Sequence, residues 1–192
     1  MLGLLKNNSY KFLNNSLYVF IAIVLFSCDG PEARKPIRSS VPKIIKSTVE
    51  RNKELLALEV QIINALVKKD TLHDYLPTAS GSWFYYETKN DSTTYVAKGE
   101  DLVTLTYNIM TLTNDTIYSA KEIGVQTIKV DKPSLFKGLR NSFTLLKEGE
   151  RATFLFPSSL GFGYHGDDNK IAPNTPIKSS IEILKIAQNP IK

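Results

Sequence analysis

The spacing of apolar and polar positions changes along the chain, and each change marks an element. Residues 17–26, Leu-Tyr-Val-Phe-Ile-Ala-Ile-Val-Leu-Phe, form an unbroken apolar run. As a helix this run would rise about 15 Å, half of the roughly 30 Å needed to cross hydrocarbon. Further along, apolar residues recur every three or four positions: Leu55, Leu58, Ile62 and Leu66 make one row, and Leu56, Val60, Ile63 and Val67 a second. This spacing predicts an amphipathic helix over residues 47–70, about 33 Å long to Lys69. Ser47-Thr-Val-Glu50 reads as its capping box, the hydroxyl and the carboxylate each satisfying a free backbone N–H. Together the two rows cover more than half the helix circumference, which is wider than one packing partner needs. Packing on the chain's own domain and pairing of two such helices into a homodimer both account for the excess.

From Trp83 the period shortens toward two. Residues 82–87, 95–96, 102–110, 125–130, 151–156 and 177–186 predict strands, being β-branched or aromatic and bounded by turn residues. Asp131-Lys-Pro133 predicts a helix start, with Leu135, Phe136, Leu139 and Phe143 lining one side and proline near the first turn. Several strands around a single short helix predict an α+β domain, preceded by the long amphipathic helix.

Composition narrows the chemistry. Of 192 residues, 42% are hydrophobic and 22% charged, with 10 Gly and 9 Pro, which excludes collagen-like and fully disordered chains. Cys28 is the single cysteine, so neither an intramolecular disulfide nor a cysteine-rich zinc site can form, and two histidines are poor material for a metal centre. No metal or cofactor is expected. The net charge of +5 falls to +3 without Lys6 and Lys11 of the first 27 residues, a weak case for nucleic acid. Gly161-Phe-Gly163-Tyr-His-Gly166 has the spacing of a dinucleotide fingerprint, but Pro157-Ser-Ser-Leu160 precedes it and Pro173 follows, so it reads as a loop. Asp167 and Asp168 lack the further spaced oxygens of a calcium loop.

The first 27 residues read as an address. A positive segment and a short apolar core are the pattern of a secretory signal. Leu25-Phe26-Ser27-Cys28 resembles a bacterial lipobox, in which the cysteine thiol is lipidated and the chain is cut before it. Residues 28–46, with Pro31, Pro36, Pro42 and five Lys or Arg side chains, then form a flexible basic tether. These features predict a protein of the cell envelope, lipid-anchored to a membrane, with its main domain expected in the periplasm.

The main domain carries an ordered set of motifs: Val103-Thr-Leu-Thr-Tyr107, Ser134-Leu-Phe-Lys-Gly-Leu139, Leu145-Leu-Lys-Glu-Gly-Glu-Arg-Ala152, Phe156-Pro-Ser-Ser-Leu-Gly-Phe-Gly163, Ile171-Ala-Pro173 and Ile181-Glu-Ile-Leu-Lys-Ile186. In order and spacing, residues 78–187 resemble an FKBP-type peptidyl-prolyl cis-trans isomerase. With the lipobox and the long helix, the whole is similar to the gliding-motility-associated FKBP-type lipoproteins of the Bacteroidota. The resemblance implies an antiparallel sheet wrapped around one short helix and a groove that accepts a prolyl side chain. Proline-containing polypeptides would be the substrates. It maps Tyr107, Tyr118, Phe136 and Phe162 to catalytic positions, with the Phe136 N–H as the donor to bound ligand. Ile128, Leu135, Leu139 and Ile171 map to the pocket wall. Four positions depart from the family pattern: Leu139 replaces a pocket-floor tryptophan, Ser119 an acid, Phe162 a loop tyrosine and Ser179 a phenylalanine. Ser119, Phe162 and Ser179 favour an alternative, a chaperone or scaffold that keeps the groove but catalyses weakly.

Overall fold

A computed structural model describes residues 41–130 and 135–188, with side chains from Thr48 onward. The chain divides between Ile44 and Ile45, and the second unit, Ile45–Lys192, holds the domain. The expected signal segment 1–27, Cys28, the expected tether up to residue 40 and the expected helix start at 131–134 lie outside the described residues.

Helix α1 (Val41–Lys69) begins two turns before the capping box, so Ser47 and Glu50 sit inside it and tether residues 41–46 are helical. Pro42 permits the early start: in a first turn the missing N–H would have had no intrahelical acceptor. At the other end Lys68 and Lys69 complement the carboxyl pole of the helix. Asp70 follows, accepting the Leu72 N–H at 3.1 Å and pairing with His73 Nδ1 at 2.9 Å, while His73 stacks on Tyr85 with centroids 4.0 Å apart.

Among the described residues eight strands form one antiparallel sheet: β1 (Leu76–Pro77), β2 (Trp83–Thr88), β3 (Leu102–Tyr107), β4 (Ile109–Met110), β5 (Thr116–Tyr118), β6 (Gln126–Lys129), β7 (Arg151–Phe156) and β8 (Ile177–Ala187). Their order is β1-β2-β7-β8-β3-β6, with β4 pairing β8 and β5. Between them lie α2 (Ala120–Ile123), α3 (Lys137–Ser142) and a 3-10 turn, Ser158–Leu160. The expected α+β sheet around one short helix, with a long helix before it, is the observed architecture.

The alternation in β3 and β8 sets the core. Val103, Leu105 and Tyr107 turn inward from β3, and Ile177, Ser179, Ile181 and Ile183 from β8. Against them pack Leu139 and Phe143 with Phe154 and Phe156 of β7, all at most 1% exposed. Helix α3 approaches closely enough that a Cβ on Gly138 would stand 2.5 Å from the Phe156 ring and 3.0 Å from the Leu160 carbonyl oxygen. Glu150, 1% exposed, takes the Asn90 and Lys147 N–H groups at 3.1 and 2.9 Å and lies 3.2 Å from Lys147 Nζ, pinning the turn into β7.

Three expected boundaries move. The strand expected over 102–110 breaks at Asn108, whose side-chain oxygen accepts the Ser180 N–H at 2.8 Å and whose carbonyl accepts the Ser179 hydroxyl at 2.6 Å. Helix α3 starts at Lys137, because Phe136 is extended (φ −62°, ψ 151°) and stands before it. Residues 95–96 contribute a single bridge, Val96 to Lys147.

Along α1, Ile63 is fully buried and Glu59 4% exposed, with Leu55 and Leu66 half-buried beside them. Leu58 (58%) and Ile62 (53%) stay exposed on one flank, Val49 and Leu56 on the other. The centre of the wide stripe therefore packs on the chain's own domain.

Gly138→Ala must push Phe156 or the helix aside, and overpacking of this kind costs about 1–3 kcal/mol. Thermal unfolding followed by circular dichroism should show the loss, with no comparable change for alanine at an exposed α1 position such as Gln61.

Candidate active site

The site is built where the ends of β3 and β7 meet the start of α3. Tyr107 closes β3, Phe156 closes β7, and Phe136 stands just before α3. Phe136 is the centre of an aromatic cluster, with ring centroids 6.2 Å from Tyr107, 5.6 Å from Phe156 and 5.3 Å from Phe162. Being extended, Phe136 does not place its N–H inside the helix, and no acceptor among the described residues takes it. Its carbonyl is used, accepting the Arg140 N–H at 3.3 Å.

Every mapped residue belongs to this core or packs against it, but at two depths. Leu139 (0%), Ile171 (3%) and Ile128 (8%) are buried in the core. Tyr118, Leu135, Phe136 and Phe162 are half-buried, so these side chains present surface to a ligand. Tyr107 is 8% exposed; burial pushes its hydroxyl above the ordinary tyrosine value, and no partner among the described residues engages it. Such an arrangement can hold an apolar ring and offer one N–H to a carbonyl beside it. No group of three His, Cys, Asp or Glu side chains able to hold a metal occurs among the described residues.

Residues 94–184 match the family model of the FKBP-type peptidyl-prolyl cis-trans isomerases. Those residues, just under half of the chain, are FKBP-type. A curated relative, the probable FKBP-type peptidyl-prolyl cis-trans isomerase FkpA of Neisseria meningitidis serogroup B (strain MC58), is 26% identical over 138 residues, 72% of this chain. The chain spans half of that relative's length. Among solved structures, a peptidyl-prolyl cis-trans isomerase from Pseudomonas syringae pv. tomato superposes with a TM-score of 0.55 at 17% identity, covering 69% of this chain and 96% of its own. At that identity the superposition speaks for the fold.

Within the FKBP-type domain two of the four departures have structural explanations. Ser119 is the N-cap of α2, its hydroxyl oxygen accepting the Glu122 N–H at 3.2 Å. Ser179 is fully buried and donates to the Asn108 carbonyl. Tyr164, two residues after Phe162, is 64% exposed and packs edge-on against His165, so it does not restore the missing loop hydroxyl.

Two residues of the rim escaped the sequence reading. Asp167 accepts the Tyr118 hydroxyl at 2.5 Å and the N–H groups of Ile171 at 2.7 Å and Asn169 at 3.0 Å. Lys170 lies 4.5 Å above the Tyr118 ring and pairs with Glu122 at 2.7 Å. Together they tie Tyr118 to the loop that carries Phe162. The only sequence signal was the Asp-Asp-Asn cluster at 167–169, and nothing in it named Tyr118 as the partner.

Burial alone would raise the Asp167 pKa, but hydrogen bonds from Tyr118 and from three backbone N–H groups outweigh it and hold the carboxyl below its ordinary value. A lowered folded-state pKa gives stabilisation that is complete above the ordinary aspartate pKa of about 3.9 and lost as pH falls through the folded value. In a carbon-13 titration of the carboxyls, Asp167 should therefore turn over below an ordinary aspartate, and Tyr118→Phe should move its midpoint upward.

Proposed function

We propose that this protein is a membrane-tethered peptidyl-prolyl cis-trans isomerase acting on proline-containing polypeptides exported to the cell envelope. The observation that carries the reading is the aromatic groove of Tyr107, Phe136 and Phe162 beside the unengaged Phe136 N–H, inside a domain that matches the FKBP model.

An X–Pro bond faces a rotation barrier of about 18–20 kcal/mol because the planar amide is resonance-stabilised. Rotation removes that resonance and the charge separation that accompanies it. An apolar groove favours the less polar twisted state over the planar one, and an N–H donor holds the preceding carbonyl while the bond turns. No nucleophile or proton shuttle takes part. Ile128, Leu139 and Ile171 form the floor beneath the prolyl ring, Leu135 and Tyr118 its edges. With Phe162 lacking a hydroxyl, the Tyr107 hydroxyl is the remaining donor of the aromatic cluster.

The lipobox supports an acyl anchor on Cys28 and a periplasmic domain on the basic tether. No helix among the described residues is long and apolar enough to cross a membrane. The lipobox, long helix and FKBP-type domain together support a place among gliding-motility-associated lipoproteins. The exposed Leu58 and Ile62 flank of α1 is the surface through which two copies would pair.

A second reading, a binding module with little catalysis, is favoured by the engaged Ser119 and Ser179 and by Phe162. Refolding of a proline-limited protein separates the two. The isomerase should accelerate the slow phase, and Phe136→Ala should reduce that acceleration about tenfold, equivalent to about 1.4 kcal/mol of transition-state stabilisation. Binding of a proline peptide without acceleration would establish the binding module instead.

The anchor is tested separately. Intact-mass analysis of the native protein should find an acylated Cys28 as first residue, and Cys28→Ser should move the protein from the membrane pellet to the soluble fraction. Each buried acyl CH₂ contributes about 0.8 kcal/mol to membrane binding.

A further inference from the structure

Helix α1 lies outside the residues that match the FKBP model, yet one of its side chains grips the loop that carries Phe162. The Glu59 carboxylate, 4% exposed, accepts both the backbone N–H and the hydroxyl of Ser158, each at 2.7 Å. Ser158 is in turn the pivot of that loop. Its carbonyl accepts the N–H of Gly161 at 3.0 Å and of Gly163 at 2.8 Å, the two residues on either side of Phe162. Gly163, at φ +64°, closes the loop by accepting the Asn174 N–H at 2.7 Å. An unbroken series of contacts thus runs from α1 through Ser158 to the Phe162 ring, which rests 5.3 Å from Phe136.

We propose that Glu59 is a positioning residue for the groove: through Ser158 it holds Phe162 against Phe136, so that docking of α1 sets the shape of the site. The proposal rests on the isomerase reading above and extends it, making an element N-terminal to the matched domain part of the catalytic apparatus. The chemistry of the contact argues for this role. Ile63 already gives α1 a fully buried apolar anchor, and apolar contact alone would hold a helix without fixing its register. A carboxylate withdrawn from water is costly unless strong donors meet it, and Ser158 supplies two. Ser158 is itself 4% exposed, so a helix that slides or lifts leaves a carboxylate and an N–H buried and unmet. The pair tolerates one geometry, and that geometry is passed to the N–H groups flanking Phe162.

The test compares Glu59→Ala and Glu59→Gln with the wild type in the full-length protein, by amide hydrogen exchange and by isomerase kinetics on a proline peptide. Glutamine keeps an acceptor for the Ser158 N–H and offers a donor to its hydroxyl. In Glu59→Ala, exchange at Gly161 and Gly163 should quicken about tenfold or more while Phe154 and Ile183 in β7 and β8 keep their rates. The same variant should lose about tenfold in kcat/KM, as expected when a groove wall is misplaced, and Glu59→Gln should recover most of both. Ser158→Ala, which deletes only the hydroxyl arm, should give the same pattern at smaller amplitude and replaces Glu59→Ala if that variant does not fold. Unchanged exchange at Gly161 and Gly163, a uniform rise across the sheet, or a loosened loop with wild-type kcat/KM would each overturn the positioning role. A wild type that orders its loop but does not isomerise would overturn the isomerase reading instead.

Discussion

Strand β8 has to satisfy different neighbours along its eleven residues, and the rest of the domain depends on how it does so. Ile177 to Glu182 pair with β7, and Ile181 to Ala187 pair with β3, so Ile181 and Glu182 are held from both sides. The register on the β3 side slips between Thr104 and Leu105, leaving Leu184 as the extra residue of a bulge. A bulge increases local twist, and here it lets one strand serve β7 with its first half and β3 with its second. That pairing brings the last residues of β3 and β7, Tyr107 and Phe156, to the same side of the sheet. The rings that define the groove can meet over α3 only because β8 fixes both strand ends.

Helix α3 is too short to be stable alone, since a helix of six residues cannot recover its nucleation cost. Tertiary packing forms it. Gly138 lets its backbone press against Phe156, and Leu139 and Phe143 fill the space beneath the sheet. The extended Phe136 is the entry to this packed turn, and that entry leaves its N–H without an acceptor among the described residues. The donor that the proposed chemistry requires is therefore a by-product of how the chain enters α3. It needs no dedicated polar side chain, which suits a groove whose other walls are apolar.

The sequence made some of this legible and hid the rest for identifiable reasons. Strands β3, β7 and β8 show as alternating or continuous apolar runs because each buries at least one face, and β7 at 151–156 was read to the residue. Strand β5 and helix α2, of three and four residues, are too short to carry a period and depend on Ser119 capping and on pairing with β4. The break at Asn108 was invisible because its cause is a side chain replacing a ladder contact with Ser180, a residue 72 positions away. Ser47 to Glu50 has the residues of a capping box, but Pro42 opens the helix earlier and the box becomes interior. The residues that the family motifs mark lie in or against the core, whereas the polar contacts beside them join Tyr118 to Asp167 and Glu59 to Ser158, pairs that no local pattern connects.

Those long-range contacts bear on what the departures from the family pattern mean. At Ser119 and Ser179 the polar atom is engaged internally, one capping α2 and the other holding the Asn108 break. Apart from the Tyr107 hydroxyl and the Phe136 N–H, polar groups near the groove fix its walls: Asp167 holds Tyr118 from the loop side, and Glu59 holds the loop itself from α1. Much of the polarity sits in the groove's supports. An apolar lining is compatible with a reaction whose transition state is less polar than its ground state. Rotation about a prolyl bond is such a reaction, and it places its demand on the shape of the walls. Shape, in this protein, is set from outside the matched domain as well as within it.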